Sequence, residues 1–303
     1  MNMVVSHWSA NVAALALYAV VAAAHLLGMR GLATDGRRQR RPGAADPVGE
    51  AVVFHLGLLL ALLVIVSPVG YWSQRFIWVR SVQDVLLAIG APALIVLGAP
   101  WLPLRRAWRP GQGKKPRQEG PVAGSQPARS GLLPGGWALP VLVTVAFSVV
   151  WWVWHLPVLY DAVLGHWLVY AAEMVMYLGA GVLLWLQFIG SRPYSPRLGP
   201  VHRVALMVGT ATSCAVLAMI GVFGNGVAYS AYSGTEHRVM SVVADQQVGG
   251  AVLSVIPLVP FGILAIALLI GWLNDEESES TAAGFDRLLK PPKSAWPSRP
   301  GLR

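Results

Sequence analysis

The sequence predicts an all-α membrane protein: a polytopic bundle of about seven transmembrane helices, with its N-terminus outside and its C-terminus in the cytoplasm. Three observations lead to this fold class. Apolar residues make up 55% of the 303-residue chain and charged residues only 12%, a balance far from that of soluble domains. The apolar residues are grouped in blocks long enough to cross a hydrocarbon core, which takes about 20 residues. The basic residues are concentrated in alternate loops between the blocks.

Seven apolar blocks define the predicted helices in order along the chain. They lie near residues 10–29, 51–69, 79–99, 137–156, 167–189, 203–224 and 247–273. Together they form one predicted membrane domain, residues 1–274. Within it, residues 101–136 are rich in Pro, Gly, Arg and Lys and are predicted to form a flexible cytoplasmic loop. Residues 275–303 are predicted to form a cytoplasmic tail.

The distribution of basic residues predicts which side each loop faces. The loops after the first, third and fifth helices, together with the tail, contain 20 of the 23 Lys and Arg residues. Basic loops stay on the cytoplasmic side of a bacterial-type plasma membrane, which places the N-terminus outside. No positive charge precedes the first apolar block, so we expect an anchor and not a cleaved leader. Topology and anionic lipid account for the net charge of +9, and no nucleic-acid partner is expected.

Polar side chains from four predicted helices fall at a similar shallow depth near the outer ends of those helices. The members of this predicted outer-leaflet polar layer are Arg80, Gln83, Asp84, His155, Asp161, Glu173, Asp245 and Gln246. An ionisable residue at the centre of a span costs roughly 2.5–3.5 kcal/mol, so each such residue requires an explanation. The layer can bind a metal, relay protons or lock helices together. Pairing of Arg80 with Asp84, Glu173 or Asp245 is the structural alternative, and the spacing does not decide between them.

Other residues within the spans predict local features. Pro92, Pro257 and Pro260 predict bends in helices three and seven, which either serve packing or open a cavity on the outer side. His25 and His55 lie near the cytoplasmic ends of the antiparallel helices one and two. They form a second predicted pair, either for interhelical hydrogen bonding or for a haem or metal.

Five stretches of the sequence carry a family resemblance that runs through most of the chain. They are FHLGLLLALLVIVSP (54–68), APALIVLGAP (91–100), WHLPVLYD (154–161), YSAY (229–232) and DQQVGG (245–250). The third and fifth stretches are the most specific, and the chain resembles the CtaG family of cytochrome c oxidase assembly factors. The resemblance implies a seven-helix protein of the bacterial plasma membrane that helps to mature a haem-copper oxidase, around delivery of copper at the outer face. The implied partners are oxidase subunits or other assembly factors, and the lipid bilayer.

The sequence departs from the family at three presumed copper-ligand positions. The family has two histidines four residues apart on helix three, where this chain has Arg80 and Asp84, and a histidine after the glutamate of helix five, where Met174 follows Glu173. The positions that match the family are Gln83, His155, Asp161, Glu173, Asp245 and Gln246. The candidate metal ligands are therefore His155, Glu173, Met174 and Asp84. An arginine beside them repels a metal ion, and carboxylates suit reduced copper poorly.

Three functions follow as alternatives. The first is an oxidase assembly factor whose polar layer engages copper or the nascent oxidase subunit. The second is a diverged scaffold without metal, in which Arg80 pairs with Asp84 or Glu173. The third is a transporter of a small solute or metal that uses the bent helices and buried charges. An enzyme is not expected, because no nucleophile stands beside a base and no cofactor fingerprint is present.

Overall fold

The computed structural model describes residues 7–36, 46–108, 135–234 and 240–289. Within these ranges the regular structure is helical, and the extended pairing is a single bridge between Ser191 and Tyr194. The all-α prediction is therefore confirmed. Most of the predicted loop 101–136 lies outside the described residues, as do the last 14 positions of the predicted tail, 290–303.

Twelve α-helices are described in these ranges. They are α1 Val12–Gly36, α2 Pro47–Val66, α3 Pro68–Trp72, α4 Ile77–Val85, α5 Ala91–Leu97, α6 Trp101–Trp108, α7 Gly135–Trp154, α8 Pro157–Gly165, α9 Trp167–Phe188, α10 Pro200–Phe223, α11 Val242–Val255 and α12 Leu258–Leu289. A π-helical turn, Leu86–Gly90, joins α4 to α5, and a 3-10 helix, Ser230–Gly234, precedes α11.

Seven of these helical segments are long and apolar enough to cross a membrane, which confirms the predicted number of spans. They are Val12–Leu32, Pro47–Val66, Ile77–Leu97, Gly136–Trp154, Trp167–Phe188, Pro200–Phe223 and Val242–Ser278. The third span is 78% buried inside the protein, whereas the other six are 11–28% buried. The third span is thus the centre of the bundle, and the other spans leave a broad apolar surface for lipid.

The third span contains the π-helical turn directly before Pro92. Proline has no backbone N–H, so it interrupts the ladder of hydrogen bonds in the preceding turn. The carbonyl of Ile89 in this turn accepts a hydrogen bond of 2.9 Å from the indole N–H of Trp185 on the fifth span. At Gly181 the two spans approach so closely that a Cβ atom would collide with the carbonyl oxygen of Ala88. The irregular turn is therefore fixed against α9.

The seventh span is interrupted between α11 and α12, at Ile256 and Pro257. This position coincides with the predicted bend and follows from the N–H that proline lacks. Beyond the break α12 continues as a helix to Leu289, through the predicted boundary at residue 275. The residues from Asp275 to Ser278 are exposed, so the helix leaves the apolar segment without burying charge.

The loops at one end of the bundle cover the polar layer. This end, which the sequence predicts to face outside, holds α8 and the segment 224–234. The hydroxyl of Tyr232 reaches across the end and donates a 3.0 Å hydrogen bond to the carbonyl of Ser73. The opposite end, predicted to face the cytoplasm, is where α6 packs on α1. A Cβ at Gly28 would collide with the backbone of Pro103 there.

Candidate functional site

Arg80 and Glu173 form an ion pair at the centre of the bundle. The guanidinium of Arg80, on α4, donates to the carboxylate of Glu173, on α9, and both side chains are fully buried. Moving an unpaired charge out of water costs several kcal/mol, so each of these groups depends on the other. The pair joins the third and fifth spans across the core.

Tyrosine rings line the side of Arg80 that faces the predicted outer end. The guanidinium carbon lies 4.4 Å from the ring centroid of Tyr160, a cation–π distance. The Tyr160 ring stacks on Tyr229 at 4.0 Å and lies 5.8 Å from Tyr232. Burial raises the pKa of the Tyr160 hydroxyl well above its ordinary value. Burial also raises the pKa of Tyr232, against the opposing effect of Arg80. These hydroxyls therefore stay neutral around the cation.

His155 lies just beyond the fourth span and faces the third. Its Nδ1 is 2.7 Å from the carbonyl oxygen of Trp151 and 3.3 Å from the hydroxyl of Tyr177. The shorter contact assigns the ring proton to Nδ1, which leaves Nε2 as an acceptor. Burial lowers the pKa of His155 to about 4, so the ring is neutral at physiological pH.

Asp84 lies one helical turn after Arg80 and faces His155. Its Oδ2 is 3.8 Å from the Nε2 of His155, too far for a hydrogen bond. Among the described residues, both carboxylate oxygens of Asp84 and the Nε2 of His155 are without a hydrogen-bond partner. Arg80, Asp84, His155 and Glu173 are called the buried polar cluster below. The cluster has two carboxyl groups and one guanidinium, and the guanidinium offsets the charge of Glu173. The buried charge of Asp84 is therefore removed only by protonation or offset by a second cation.

Gln83 holds helices together. Its side-chain amide donates to the carbonyl of Val64 at 2.9 Å and to the hydroxyl of Tyr170 at 2.8 Å. These bonds join the second, third and fifth spans. A glutamine placed this way fits the helix-locking interpretation of the polar layer.

Asp245 caps a helix of another span. Its two carboxylate oxygens accept hydrogen bonds of 3.0 Å from the backbone N–H groups of Ile77 and Trp78. These residues begin α4, whose own N-cap residue, Phe76, makes no side-chain capping bond. The first N–H groups of a helix have no partner within it, so a carboxylate there satisfies them and complements the helix dipole. Asp245 thereby fixes the seventh span to the start of the third.

Gln246 and Asp161 hold the loops at the same end. The side-chain oxygen of Gln246 accepts from the backbone N–H of Ala228 at 3.0 Å. Asp161 accepts from the hydroxyl of Ser230 at 2.9 Å and from the N–H of Ala231 at 3.2 Å. The predicted polar layer thus divides into the buried polar cluster and a set of residues that order helices and loops around it.

Met174 lies next to Glu173 in the chain but packs in the apolar core, with 5% of its surface exposed. The part of the chain that the structure describes contains no group of three or more His, Cys, Asp or Glu side chains placed to hold a metal ion. Reduced copper prefers thiolate, thioether and imidazole donors, whereas the buried polar cluster offers one imidazole, two carboxyl groups and a cation. The cluster therefore does not fit copper.

A pocket of about 120 Å³ opens beside the cluster at the predicted outer end. His155 and Tyr160 form one wall of it, and Gln246 and Gly250 of α11 form another. Most of the lining is apolar, and the hydroxyl of Ser81, which also faces the pocket, already donates to the carbonyl of Ile77 at 3.0 Å. The ring of His155 therefore borders a space large enough to hold solvent molecules.

Sequence reasoning missed the aromatic residues of the site. Tyr160 and Tyr232 lie within the WHLPVLYD and YSAY stretches, but nothing in the sequence indicates that a ring would face Arg80. Tyr177, which contacts His155, lies four residues after Glu173 and so on the same face of α9. That spacing was the available signal. Trp151 offers a similar one, since it precedes His155 by four residues.

The chain is similar to a known protein family and to a curated protein. Residues 31–275 match the family model described as cytochrome c oxidase caa3 assembly factor. An uncharacterized protein of Mycobacterium leprae (strain TN) is 25% identical over an alignment of 267 residues, and the match covers 82% of this chain and 39% of that protein. The chain thus spans about two fifths of the length of this curated relative. No solved structure matches the chain.

Proposed function

The chain belongs to the family of cytochrome c oxidase caa3 assembly factors, and from this membership we propose how it acts. It is a multi-pass protein of the bacterial plasma membrane that assists assembly of a haem-copper oxidase as a binding protein and not as an enzyme. It does so through contacts with an oxidase subunit or with another assembly factor. Its buried polar cluster stabilises the bundle and does not carry copper.

The Arg80–Glu173 ion pair is the observation that carries this proposal. Arg80 stands where the family resemblance implies a copper ligand, and its cation repels a metal ion. For copper to bind there, the guanidinium would have to release Glu173. Removing one partner from a buried ion pair costs about 3–5 kcal/mol, because the other charge stays buried without compensation. The ion pair and the Tyr160 ring therefore favour a closed, metal-free cluster.

The residues around the buried polar cluster make this end of the bundle rigid, and partner binding is assigned to the surface there. Asp245 fixes the seventh span to the third, and Asp161 fixes the 3-10 helix to α8. These bonds order the loops above the buried polar cluster at the predicted outer end. An ordered loop surface binds a partner with little loss of conformational entropy.

A deletion strain complemented with variants tests the proposal. Deletion should lower the amount of assembled oxidase, and the wild-type chain should restore it. Arg80→Met should restore less oxidase, and copper added to the medium should not improve it, because the defect is in the scaffold. Arg197→Met is the matched control, since Arg197 is exposed in the loop after the fifth span. The membrane content of each variant is measured alongside, so that loss of protein is separated from loss of function.

Copper delivery through the cluster is the second candidate, and one observation favours it. The carboxylate of Asp84 and the Nε2 of His155 face each other at 3.8 Å without hydrogen-bond partners in the described ranges. If this candidate holds, His155→Phe and Asp84→Asn should lower oxidase assembly, and added copper should restore it. If the cluster is a scaffold, copper should restore neither variant. Rescue of both by copper, at normal membrane content, would contradict the proposed function.

A further inference from the structure

The predicted cytoplasmic end of the bundle contains a pair of histidines. His25 of α1 and His55 of α2 have ring centroids 5.1 Å apart and ring planes at 81°. This places together the two residues that the sequence suggested as a second pair. The buried polar cluster lies at the other end of the bundle, on the third and fifth spans and just beyond the fourth, so the two sites are separate.

The histidine pair has buried nitrogens that no described residue satisfies. His25 is 1% exposed, and the Nδ1 of His25 and the Nε2 of His55 have no hydrogen-bond partner within the described ranges. A buried polar atom left without a partner costs about 1–3 kcal/mol. A metal ion shared by the two imidazoles would coordinate both nitrogens and so remove this cost.

The distance between the rings fits a shared ion. Two imidazoles that bind one ion tetrahedrally at about 2.0 Å have ring centres about 5 Å apart. The observed separation of 5.1 Å agrees with this value. The ring of Phe54 packs on His25 at 4.4 Å and is 1% exposed, so the site is screened from water on that side.

Met29 supplies a third donor of matching chemistry. It follows His25 by four residues, which places it one turn along the same face of α1. Met29 and His25 line one pocket of about 280 Å³, which gives an ion a route to these two side chains. Glu50 and Arg192 also line this pocket, and they pair with each other at 2.5 Å, so their charges offset. A thioether donor selects reduced copper, and imidazole donors also suit copper.

We propose that His25, His55 and Met29 form a binding site for copper(I) at the predicted cytoplasmic end of the bundle. This inference goes beyond the proposed function, which concerns the buried polar cluster, and it does not depend on that function. The site would hold one ion between the first two spans, with the Glu50–Arg192 pair at its mouth.

Copper binding by the purified full chain in detergent tests the proposal. The protein is given copper(I) under anaerobic conditions with a competing chelator, and copper per chain is measured after the chelator is removed. Loss of a residue that only orients a ligand weakens binding about 10–100-fold, so His25→Leu and His55→Leu should weaken it more than about 100-fold. Met29→Leu should have a smaller effect in the same direction. His166→Asn is the control, because His166 is exposed at the start of α9, and it should bind as the wild type.

A conservative variant separates loss of a ligand from loss of the fold. His55→Met keeps a soft donor and should retain copper(I), with sulfur added to the ligand shell in the X-ray absorption spectrum. A folded wild-type chain that retains no copper would overturn this inference and leave the proposed function standing. Equal binding by wild type and His55→Leu would also overturn it. Loss of copper in His155→Phe, with His55→Leu unaffected, would place the ion in the buried polar cluster and contradict both.

Discussion

Arg80 of the third span and Glu173 of the fifth form an ion pair in which both side chains are fully buried. Arg80 belongs to the most buried span of the bundle, so water cannot take the place of either partner in the pair. Two consequences follow. The charges stabilise the fold only together, and the space that a metal ion would need is taken by a protein cation.

Arg80→Met should destabilise the protein by about 3–5 kcal/mol, because Glu173 is left buried without its partner. Arg192→Met should cost no more than about 1 kcal/mol, because the Arg192 side chain is 55% exposed. Equilibrium unfolding in detergent micelles measures both. The double variant Arg80→Met/Glu173→Gln should recover part of the loss, since no charge is then left unpaired. Equal effects of the two Arg variants would show that the buried pair is not held as described.

Gly181→Ala and Gly179→Ala are a matched pair of substitutions on α9. A Cβ at Gly181 would collide with the carbonyl of Ala88 and lie 2.6 Å from the Cγ of Pro92, whereas nothing lies within 4 Å of a Cβ at Gly179. Gly181→Ala should therefore destabilise by about 1–3 kcal/mol through overpacking. Gly179→Ala should stabilise by up to about 1 kcal/mol through helix propensity. Thermal unfolding of the two variants checks the difference, and the reverse order would show that α9 packs elsewhere.

The sequence predicts the helical class and the number of spans because the signal for a membrane span is local. A block of apolar residues has the right length or does not, and the irregular turn before Pro92 and the break at Pro257 follow from the missing N–H of proline. The partner of Arg80 could not be predicted in this way. Asp84, Glu173 and Asp245 are all candidates, and only the packing of the third span against the fifth selects Glu173.

The members of the predicted polar layer also differ in ways that spacing does not reveal. Asp245 caps α4 through bonds to Ile77 and Trp78, and Asp161 holds the 3-10 helix. A carboxylate that caps a helix of another span has no sequence signature, because cap and helix are far apart in the chain. The aromatic rings around Arg80 were missed for the same reason.

Asp245→Ala should destabilise the protein, because it removes the acceptor for two backbone N–H groups at the start of α4. Loss of an N-cap side chain costs about 0.5–2 kcal/mol, and this cap is buried, so we expect the upper part of that range. Asp275→Ala is the control, since Asp275 is exposed on α12. Hydrogen exchange should show faster exchange at Ile77 and Trp78 in Asp245→Ala. Unchanged exchange there would mean that the carboxylate is not their acceptor.

The orientation of the bundle decides which side each site faces, and cysteine labelling determines it. Cys214 is 2% exposed, so the natural chain provides a background that reacts little with thiol reagents. Asn225→Cys lies in the loop after the sixth span and Ser195→Cys in the loop after the fifth, and both positions are exposed. Because basic loops stay in the cytoplasm, a membrane-impermeant maleimide should label Asn225→Cys in intact cells and Ser195→Cys only after permeabilisation. The opposite pattern would show that the bundle has the inverse orientation, with the buried polar cluster towards the cytoplasm and the His25–His55 pair towards the outside.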